Sequence, residues 1–162
     1  MKLNNLNDLL IHELKDIYNA EQQITKALPK MKEAASSDKL KKAFQDHLEM
    51  TEKQIERLDK VFEIIGEKSS GEKCKAMEGI IKEADSMMSE KADASVMDAA
   101  LIASAQRVEH YEIAAYGTVC TYAKQLGMDE VLDQLLITLE EEKKTDSLLT
   151  EIAEKSINAK AE

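Results

Sequence analysis

The chain has 162 residues, of which one is proline, five are glycine and 33% are charged. This composition excludes a turn-rich β-sandwich or barrel and is typical of long helices. A formal net charge of −10 also argues against non-specific nucleic-acid binding, because phosphate contacts need a cationic surface.

Three further features of the sequence predict where in the cell the protein is found. No apolar run approaches the length of about 18 residues that a membrane-spanning helix needs. Two cysteines, Cys74 and Cys120, are too few for a disulfide framework, and we expect both to be packed thiols. The segment from Met1 to Asn4 lacks the apolar core of a signal peptide. We therefore expect a cytoplasmic protein with neither nucleic-acid nor membrane partners.

Helix-breaking residues are few and divide the chain into four long helical segments and one short one. The first two long segments are joined tightly, as are the last two, whereas the connection between the pairs is long and carries the short segment. These connection lengths predict an all-α, ferritin-like four-helix bundle with one additional short helix in the long crossover. We place it in a single domain, 1–162, with helices at about 6–35, 39–65, 73–89, 96–126 and 129–156.

Capping residues mark the expected helix ends. The Ser-Ser-Asp run at 36–38 offers an N-cap for the second helix, and the loop 66–71 follows that helix. Gly127 is expected to end the third long helix, and Asp129 is expected to be the N-cap of the last helix.

Acidic residues interrupt the stripes that these helices should bury. A helix in a bundle buries positions spaced alternately by three and four residues, and such stripes are normally apolar. Here one acid falls on the stripe of the first helix and two fall on each of the last two long helices. These five are Glu21, Glu109, Glu112, Glu142 and Asp146. On the second helix the middle of the stripe is His47, Thr51 and Gln54.

Several buried carboxylates together point to a cation. Burying an unpaired carboxylate costs several kcal/mol, and neighbouring carboxylates also repel one another. A pair of divalent metal ions would resolve this conflict, because such ions bind oxygen ligands readily. The alternatives are that single acids reach solvent, or that flanking cations neutralise part of the cluster. The flanking cations are Lys53, Arg57, Arg107, Lys143 and Lys144.

Sequence blocks around these acids carry a family resemblance. They lie at 16–23, 47–58, 74–83, 99–117 and 139–146, and the most specific is Glu109-x-x-Glu112 followed by Tyr116-Gly117. On these blocks the chain resembles the YciF-type stress proteins of the ferritin-like superfamily over nearly its whole length. The resemblance implies a dimeric, rubrerythrin-related helical fold, a di-iron or other divalent site, and an association with bacterial stress responses. It implies no defined activity.

The sequence departs from the superfamily pattern in two places. Met50 stands where the family usually has an acid, and Glu142 is followed by Thr145 and Asp146 rather than by the histidine of a Glu-x-x-His motif. An oxygen-rich site favours manganese or magnesium over fast oxygen-activating iron. Loss of an acid at Met50 is also compatible with a site that holds one ion or none.

Two functions remain open at this point. The first is a homodimeric metal protein in which iron or manganese reacts with a small oxidant, peroxide or dioxygen. Glu112 and Glu142 would bridge the ions, with Glu21, Glu109 and Asp146 as terminal ligands. The second is a non-catalytic interaction dimer with a degenerate site. His47 is either a further ligand or a hydrogen-bonded core histidine, and Tyr18 and Tyr116 either bond the carboxylates or only pack.

Overall fold

A computed structural model of the chain describes residues 3–162, in which there are five α-helices and no strand. Met1 and Lys2, which belong to the predicted domain and to the N-terminal segment discussed above, lie outside the described residues. The helices are α1 (Leu6–Ala34), α2 (Asp38–Ile65), α3 (Lys75–Met88), α4 (Ala94–Gln125) and α5 (Asp129–Ile152). The all-helical prediction is confirmed. Across 3–162, no helix is both long and apolar enough to cross a membrane.

The predicted ends agree with the structure within about two residues, except at the C-terminus. The last helix was expected to reach 156, but α5 ends at Ile152 and passes into a π-helix, Ala153–Ile157, and a short 3-10 helix, Asn158–Lys160.

Two of the long helices end at a glycine whose backbone is in the left-handed conformation. Gly66 (φ 71°) follows α2 and Gly127 (φ 69°) follows α4, as the sequence predicted for Gly127. After Gly127 the Met128 N–H turns back onto the Ala123 carbonyl at 3.0 Å, which is a Schellman-type end. The prediction that Asp129 is the next N-cap is therefore wrong. The chain re-enters a helix at once, so Met128 is the N-cap and Asp129 lies in the first turn.

The turn between α1 and α2 is held by an acid from another helix. Ser37 is the N-cap of α2, but its side chain makes no capping bond. Instead, the N–H groups of Ser36 and Ser37 donate to the two carboxylate oxygens of Asp98, at 2.7 and 2.9 Å. Asp98 lies near the start of α4 and is 3% exposed.

The four long helices form a bundle. α1 packs against α2 and α4, α5 packs against the same two helices, and α3 lies across α1 and α4. α3 thus covers one side of the bundle within the long connection from α2 to α4, and this arrangement confirms a helical bundle with an extra short helix.

The apolar core is divided in two. The α3-side cluster contains Leu28, Phe44, Met77, Leu101 and Leu149 with their neighbours. The far-end cluster contains Leu10, Leu58, Tyr116, Val119 and Leu135 with theirs. A buried polar layer falls between them along each long helix, and its members are Glu21, His47, Thr51, Gln54, Glu109, Glu112 and Glu142.

Candidate metal centre

Four of the five acids on the predicted stripes lie inside the bundle. Glu21, Glu109 and Glu142 are 0% exposed and Glu112 is 1% exposed. On each helix, the acids share the buried face with apolar residues. The 3-4 spacing that buries the leucines therefore also buries these carboxylates.

Four side chains converge at the centre of the polar layer. One ligand atom from each of His47, Glu109, Glu112 and Glu142 can be chosen so that all four atoms lie within 4.8 Å of one another. They come from α2, α4 and α5. Carboxylate oxygens with one imidazole nitrogen at this spacing suit a divalent ion.

Most of the polar atoms in this layer have no hydrogen-bond partner. Across residues 3–162, every fully buried side-chain oxygen or nitrogen without a partner belongs to six residues: Glu21, His47, Gln54, Glu109, Glu112 and Glu142. They contribute eight such atoms. Buried polar groups in folded proteins are nearly always paired, and leaving one unpaired costs about 1–3 kcal/mol. The unpaired atoms are therefore concentrated at one place, and most of them are carboxylate oxygens of the kind that could hold a metal ion.

Glu21 borders the group of four. The Tyr116 hydroxyl donates to Glu21 Oε1 at 2.5 Å, while Glu21 Oε2 has no partner. Of the two alternatives left open for Tyr116, bonding a carboxylate is therefore the one observed. Tyr18 packs edge-on against Phe62 with ring centroids 5.8 Å apart, and lies outside the layer.

Asp146 does not join the group of four. Its side chain is 21% exposed, and its Oδ1 accepts from Gln106 Nε2 at 3.1 Å and lies 3.3 Å from His110 Nε2. The reason is the phase of α5: Glu142 and Leu149 are both buried, so Thr145 and Asp146 lie on either edge of the stripe. Asp146 nevertheless remains close enough to raise the pKa of Glu109.

His47 faces both the acids and the apolar core. Its Nδ1 lies 3.2 Å from Glu109 Oε1, although not in hydrogen-bonding geometry, and its Nε2 has no partner. Burial lowers the pKa of His47 to about 4, so the imidazole is neutral at physiological pH. A neutral imidazole is the form that binds metals.

A polar network on α2 and α5 holds Glu142. Gln54 Nε2 donates to Glu142 Oε1 at 2.5 Å and to Glu141 at 3.1 Å. Arg57 bonds both oxygens of Glu141, at 2.9 and 3.2 Å, and Thr138 Oγ1 at 2.6 Å. Of the five predicted flanking cations, Arg57 alone acts on the cluster, lowering the pKa values of Glu21 and Glu142; Lys53, Arg107, Lys143 and Lys144 are exposed.

Burial raises the pKa values of the buried acids and so favours their protonated forms. Burial, followed by repulsion from Glu142, raises the pKa of Glu21 to about 8 and raises those of Glu109 and Glu112 well above the ordinary range. Burial also raises the pKa of Glu142 to about 7. Glu109 contacts Glu142, and Glu112 contacts Glu21. As carboxylates these pairs have no donor, but a proton on Glu109 or Glu112 lets that carboxyl donate to its neighbour.

A second polar cluster was missed by sequence reasoning. The Tyr111 hydroxyl donates to Asp16 at 2.5 Å and lies 3.1 Å from Cys74 Sγ. Cys74 is the N-cap of α3, its thiol accepts from Met77 N–H, and its own N–H donates to Asn19. Cys74 and Cys120 are both buried, as expected. This network attaches the start of α3 to α1 and α4.

Met50 lies at the edge of the layer between α2 and α5. It is partly buried, and Thr145 Oγ1 is 3.9 Å from its sulfur. Glu49 and Glu52, its acidic neighbours, are exposed, so neither replaces an acid at this position.

Comparisons with known proteins show the family of the chain. The family described as a domain of unknown function (DUF892) matches residues 5–162. Protein YciF of Escherichia coli K12 is 50% identical, covering 100% of this chain and 98% of its own.

Three solved structures show the same helical arrangement. The crystal structure of the E. coli stress protein YciF superposes with a TM-score of 0.93 at 49% identity, covering 96% of this chain and 99% of that one. YcfI from Rhodopseudomonas palustris gives 0.90 at 52% identity over 92% and 95% of the two chains. A Xanthomonas campestris protein gives 0.76 at 19% identity over 96% and 95%, which shows the fold alone. The resemblance to YciF-type stress proteins is thus confirmed, and the chain belongs to the DUF892 family.

Proposed function

We propose that this protein is a ferritin-like bundle that binds a pair of divalent metal ions, iron or manganese, and acts in a bacterial stress response. The single observation that carries the metal site is the group of eight unpaired buried atoms around His47, Glu109, Glu112 and Glu142. A cation would bind these atoms and remove the repulsion between the carboxylates at the same time.

The donor set suits hard or borderline metals. His47, Glu109, Glu112 and Glu142 can surround one ion. A second ion would be held by Glu21, whose Oε2 has no hydrogen-bond partner, together with Glu109, Glu112, Glu142 and Asp146. Asp146 would have to leave Gln106 and His110 to reach it. Oxygen ligands with at most one imidazole favour manganese or iron over softer metals.

The surrounding residues prepare the ligands rather than react themselves. Tyr116 fixes Glu21, Gln54 fixes Glu142, and Arg57 supplies positive charge through Glu141. Iron or manganese, when bound, would supply electron exchange with a small oxidant such as peroxide or dioxygen. Polar partners of this kind orient ligands and commonly change metal affinity by about 10–100-fold.

The wider setting is proposed from the relatives. The E. coli homologue is described as a stress protein. Because the two chains are 50% identical over the full length of this one, we propose a role in the stress response for this protein too. We place the protein in the cytoplasm as a homodimer.

A second candidate is an interaction dimer with a degenerate site, and Met50 is the observation that favours it. No acid replaces Met50 at the edge of the layer, so one expected ligand is missing. In this case the carboxyls remain protonated pairs and the surface of the dimer carries the function.

Elemental analysis of protein purified without chelator, with anomalous scattering at the bundle centre, tests the proposal. We expect about two ions per chain, bound at the centre of the bundle between the four long helices. The double variant Glu109→Gln with Glu112→Gln should lose them, whereas Glu140→Gln, an exposed acid on α5 bonded to Lys143, should retain them.

The outcomes separate the two candidates. Absence of metal from the native protein and after reconstitution with ferrous or manganous ions would overturn the metal proposal. If the double variant is then also more stable and supports stress survival as well as the native protein does, the interaction dimer replaces it. A single ion that does not oxidise would retain the site but remove the reaction with oxidant.

A further inference from the structure

Asp146 lies at the edge of the polar layer, between solvent and the buried acids. Its side chain is 21% exposed, and its charge is close enough to Glu109 to raise the pKa of that acid. Glu109 is 0% exposed, and neither of its oxygens has a hydrogen-bond partner. Asp146 therefore lies between the protein surface and a buried carboxylate whose oxygens are unpaired.

The two oxygens of Asp146 have different surroundings. Oδ1 accepts from Gln106 Nε2 at 3.1 Å and lies 3.3 Å from His110 Nε2. Within residues 3–162, no hydrogen bond reaches Oδ2. The Gln106 amide also donates to Thr150 Oγ1 at 2.9 Å, so its nitrogen keeps a partner when Asp146 moves. Asp146 is thus held through one oxygen, and its other oxygen is available to a ligand.

His110 and Asp146 present two ligand atoms side by side at the surface. The His110 side chain is 70% exposed, and the nearby cation Lys143 pairs with Glu140 at 2.7 Å. Two ligand atoms that bind one ion at about 2.1 Å and at right angles lie about 3 Å apart. The observed 3.3 Å is close to this separation. With only two protein ligands, such a site binds weakly, as a point of entry must.

The other sides of α5 and α4 offer a cation less. Between α2 and α5 the edge of the layer carries the Met50 thioether beside Thr145. The only charged groups there that touch the layer are Arg57 and Glu141, which are already paired at 2.9 Å. Between α1 and α4 the bundle is covered by α3. The edge between α4 and α5 therefore has the unpaired carboxylate oxygen and the accessible imidazole that these two sides lack.

We propose that His110 and Asp146 form an outer binding site for a divalent cation, through which the buried carboxylates are loaded. An imidazole beside a carboxylate favours manganese or iron over magnesium or calcium. Asp146 serves the outer site in the position seen here and turns toward Glu109 to serve the inner one. The inference deepens the proposed function and rests on it for the destination of the ion, whereas binding at the outer site needs only the two surface residues.

Line broadening of the histidine ring signals by Mn²⁺ tests the outer site. The chain has three histidines, so the imidazole NMR spectrum is simple. Substoichiometric Mn²⁺ would be added to the double glutamine variant described above, in which the inner site is removed. We expect His110 to broaden at least about fivefold more than His12, since weak oxygen and imidazole sites exchange ions readily. His12 is the matched control, because it too lies beside an acid, 3.5 Å from Glu72.

A neutral variant shows whether the carboxylate is required. Asp146→Asn in the same background keeps the shape of the side chain and removes its charge, and should abolish the difference between His110 and His12. Equal broadening of the two rings in the parent variant, or a difference that survives Asp146→Asn, would overturn the outer site.

The rates of metal uptake and release test the route in the otherwise native protein. His110→Ala should slow both Mn²⁺ association and Mn²⁺ release about tenfold and leave the Kd of the inner site unchanged, because a point of entry alters the path and not its ends. His12→Ala should alter neither rate. Unchanged rates in His110→Ala would overturn the route, and so would a weaker Kd with an unchanged association rate, which would make His110 a ligand of the inner site.

The failure of this inference can be told from the failure of the proposed function. If the native protein binds no metal at the bundle centre, the proposed function fails. The Mn²⁺ broadening still decides whether the outer site exists, because that experiment is performed without Glu109 and Glu112.

Discussion

Two buried acids on α4, Asp98 and Glu109, differ in their hydrogen bonding. Asp98 is 3% exposed, and each of its oxygens accepts a backbone N–H from the turn between α1 and α2. Glu109, three turns later, is 0% exposed, and neither of its oxygens has a hydrogen-bond donor. The first acid is part of the scaffold, whereas the second raises the free energy of the metal-free fold.

The difference indicates which polar groups serve the structure and which serve a ligand. The cluster of Asp16, Tyr111 and Cys74 behaves like Asp98, because its members bond one another and fix α3. Within the described residues, 3–162, only the layer around Glu109 and Glu112 combines full burial with missing partners. All of these groups are at least partly buried. The presence or absence of hydrogen-bond partners therefore separates the polar groups that stabilise the fold from those available to a ligand.

The largest change in stability should come from Asp98, the buried acid whose two oxygens both accept hydrogen bonds. Asp98→Ala removes two charge-assisted hydrogen bonds and should lower the free energy of unfolding by about 2–4 kcal/mol. Urea denaturation measures it, with and without added metal. The loss should be the same in both conditions, because Asp98 lies outside the metal centre, and a loss that appears only with metal would contradict the division drawn above.

The pH dependence of the metal-free protein should report the unsatisfied acids. Their pKa values are raised, to about 8 for Glu21 and about 7 for Glu142, so above the unfolded values near 4.3 the folded state holds protons that the unfolded state has lost. Stability should therefore fall as pH rises, by up to about 1.4 kcal/mol per pH unit for each such carboxyl.

His47 opposes this trend at lower pH. Its pKa is lowered to about 4, so it contributes stability that increases between about pH 4 and 6.5. The clearest window is therefore about pH 6.5–8, measured by urea unfolding in the presence of a chelator. A metal ion should reverse the slope, because it binds deprotonated ligands. A flat or rising profile in chelator would show that the acids are not protonated in the fold.

Neutralising one unsatisfied acid should act in the direction opposite to Asp98→Ala. Glu112→Gln removes a buried ionisable group while keeping its shape, and should raise the free energy of unfolding of the metal-free protein at pH 8 by about 1–2 kcal/mol. The exposed control Glu140→Gln should change it by less than about 0.5 kcal/mol. If Glu112→Gln destabilised the metal-free chain, Glu112 would belong with the scaffold acids.

The smallest effect should come from a group that only holds a ligand in place. Tyr116→Phe removes the bond to Glu21 and should weaken metal affinity about tenfold, since residues that orient ligands commonly have effects of this size. Isothermal titration measures the affinity. Tyr18→Phe, which alters a phenol outside the polar layer, is the matched control, and an equal loss in both variants would refute a specific role for Tyr116.

The fold and the centre of the site were visible in the sequence because both depend on helix periodicity. The 3-4 spacing that predicts the buried apolar stripes also places Glu21, Glu109, Glu112 and Glu142 on them, and all four are buried. Periodicity predicts only approximately where a side chain lies around the helix axis. Asp146 therefore fitted the stripe of α5, although it lies at its edge beside Gln106.

Contacts between distant segments were not visible. Asp98 bonds the backbone of a turn 61 and 62 residues away, and a backbone N–H leaves no mark in the sequence. Glu141 follows Glu140 in an acidic run that resembles solvent-exposed surface, yet it pairs with Arg57. The contact of Cys74 with Tyr111 likewise needs the docked position of α3.

The chain positions of His47, Glu109, Glu112 and Glu142 have a consequence for the unfolded protein as well. The segment that runs from the first to the last of them is more than half of the chain. An ion held by all four would therefore act as a clip that closes a very long loop, and closures of long loops remove the most conformational entropy from an unfolded chain. Metal loading would then stabilise the bundle in the way a cross-link does, in a protein whose two thiols are not joined.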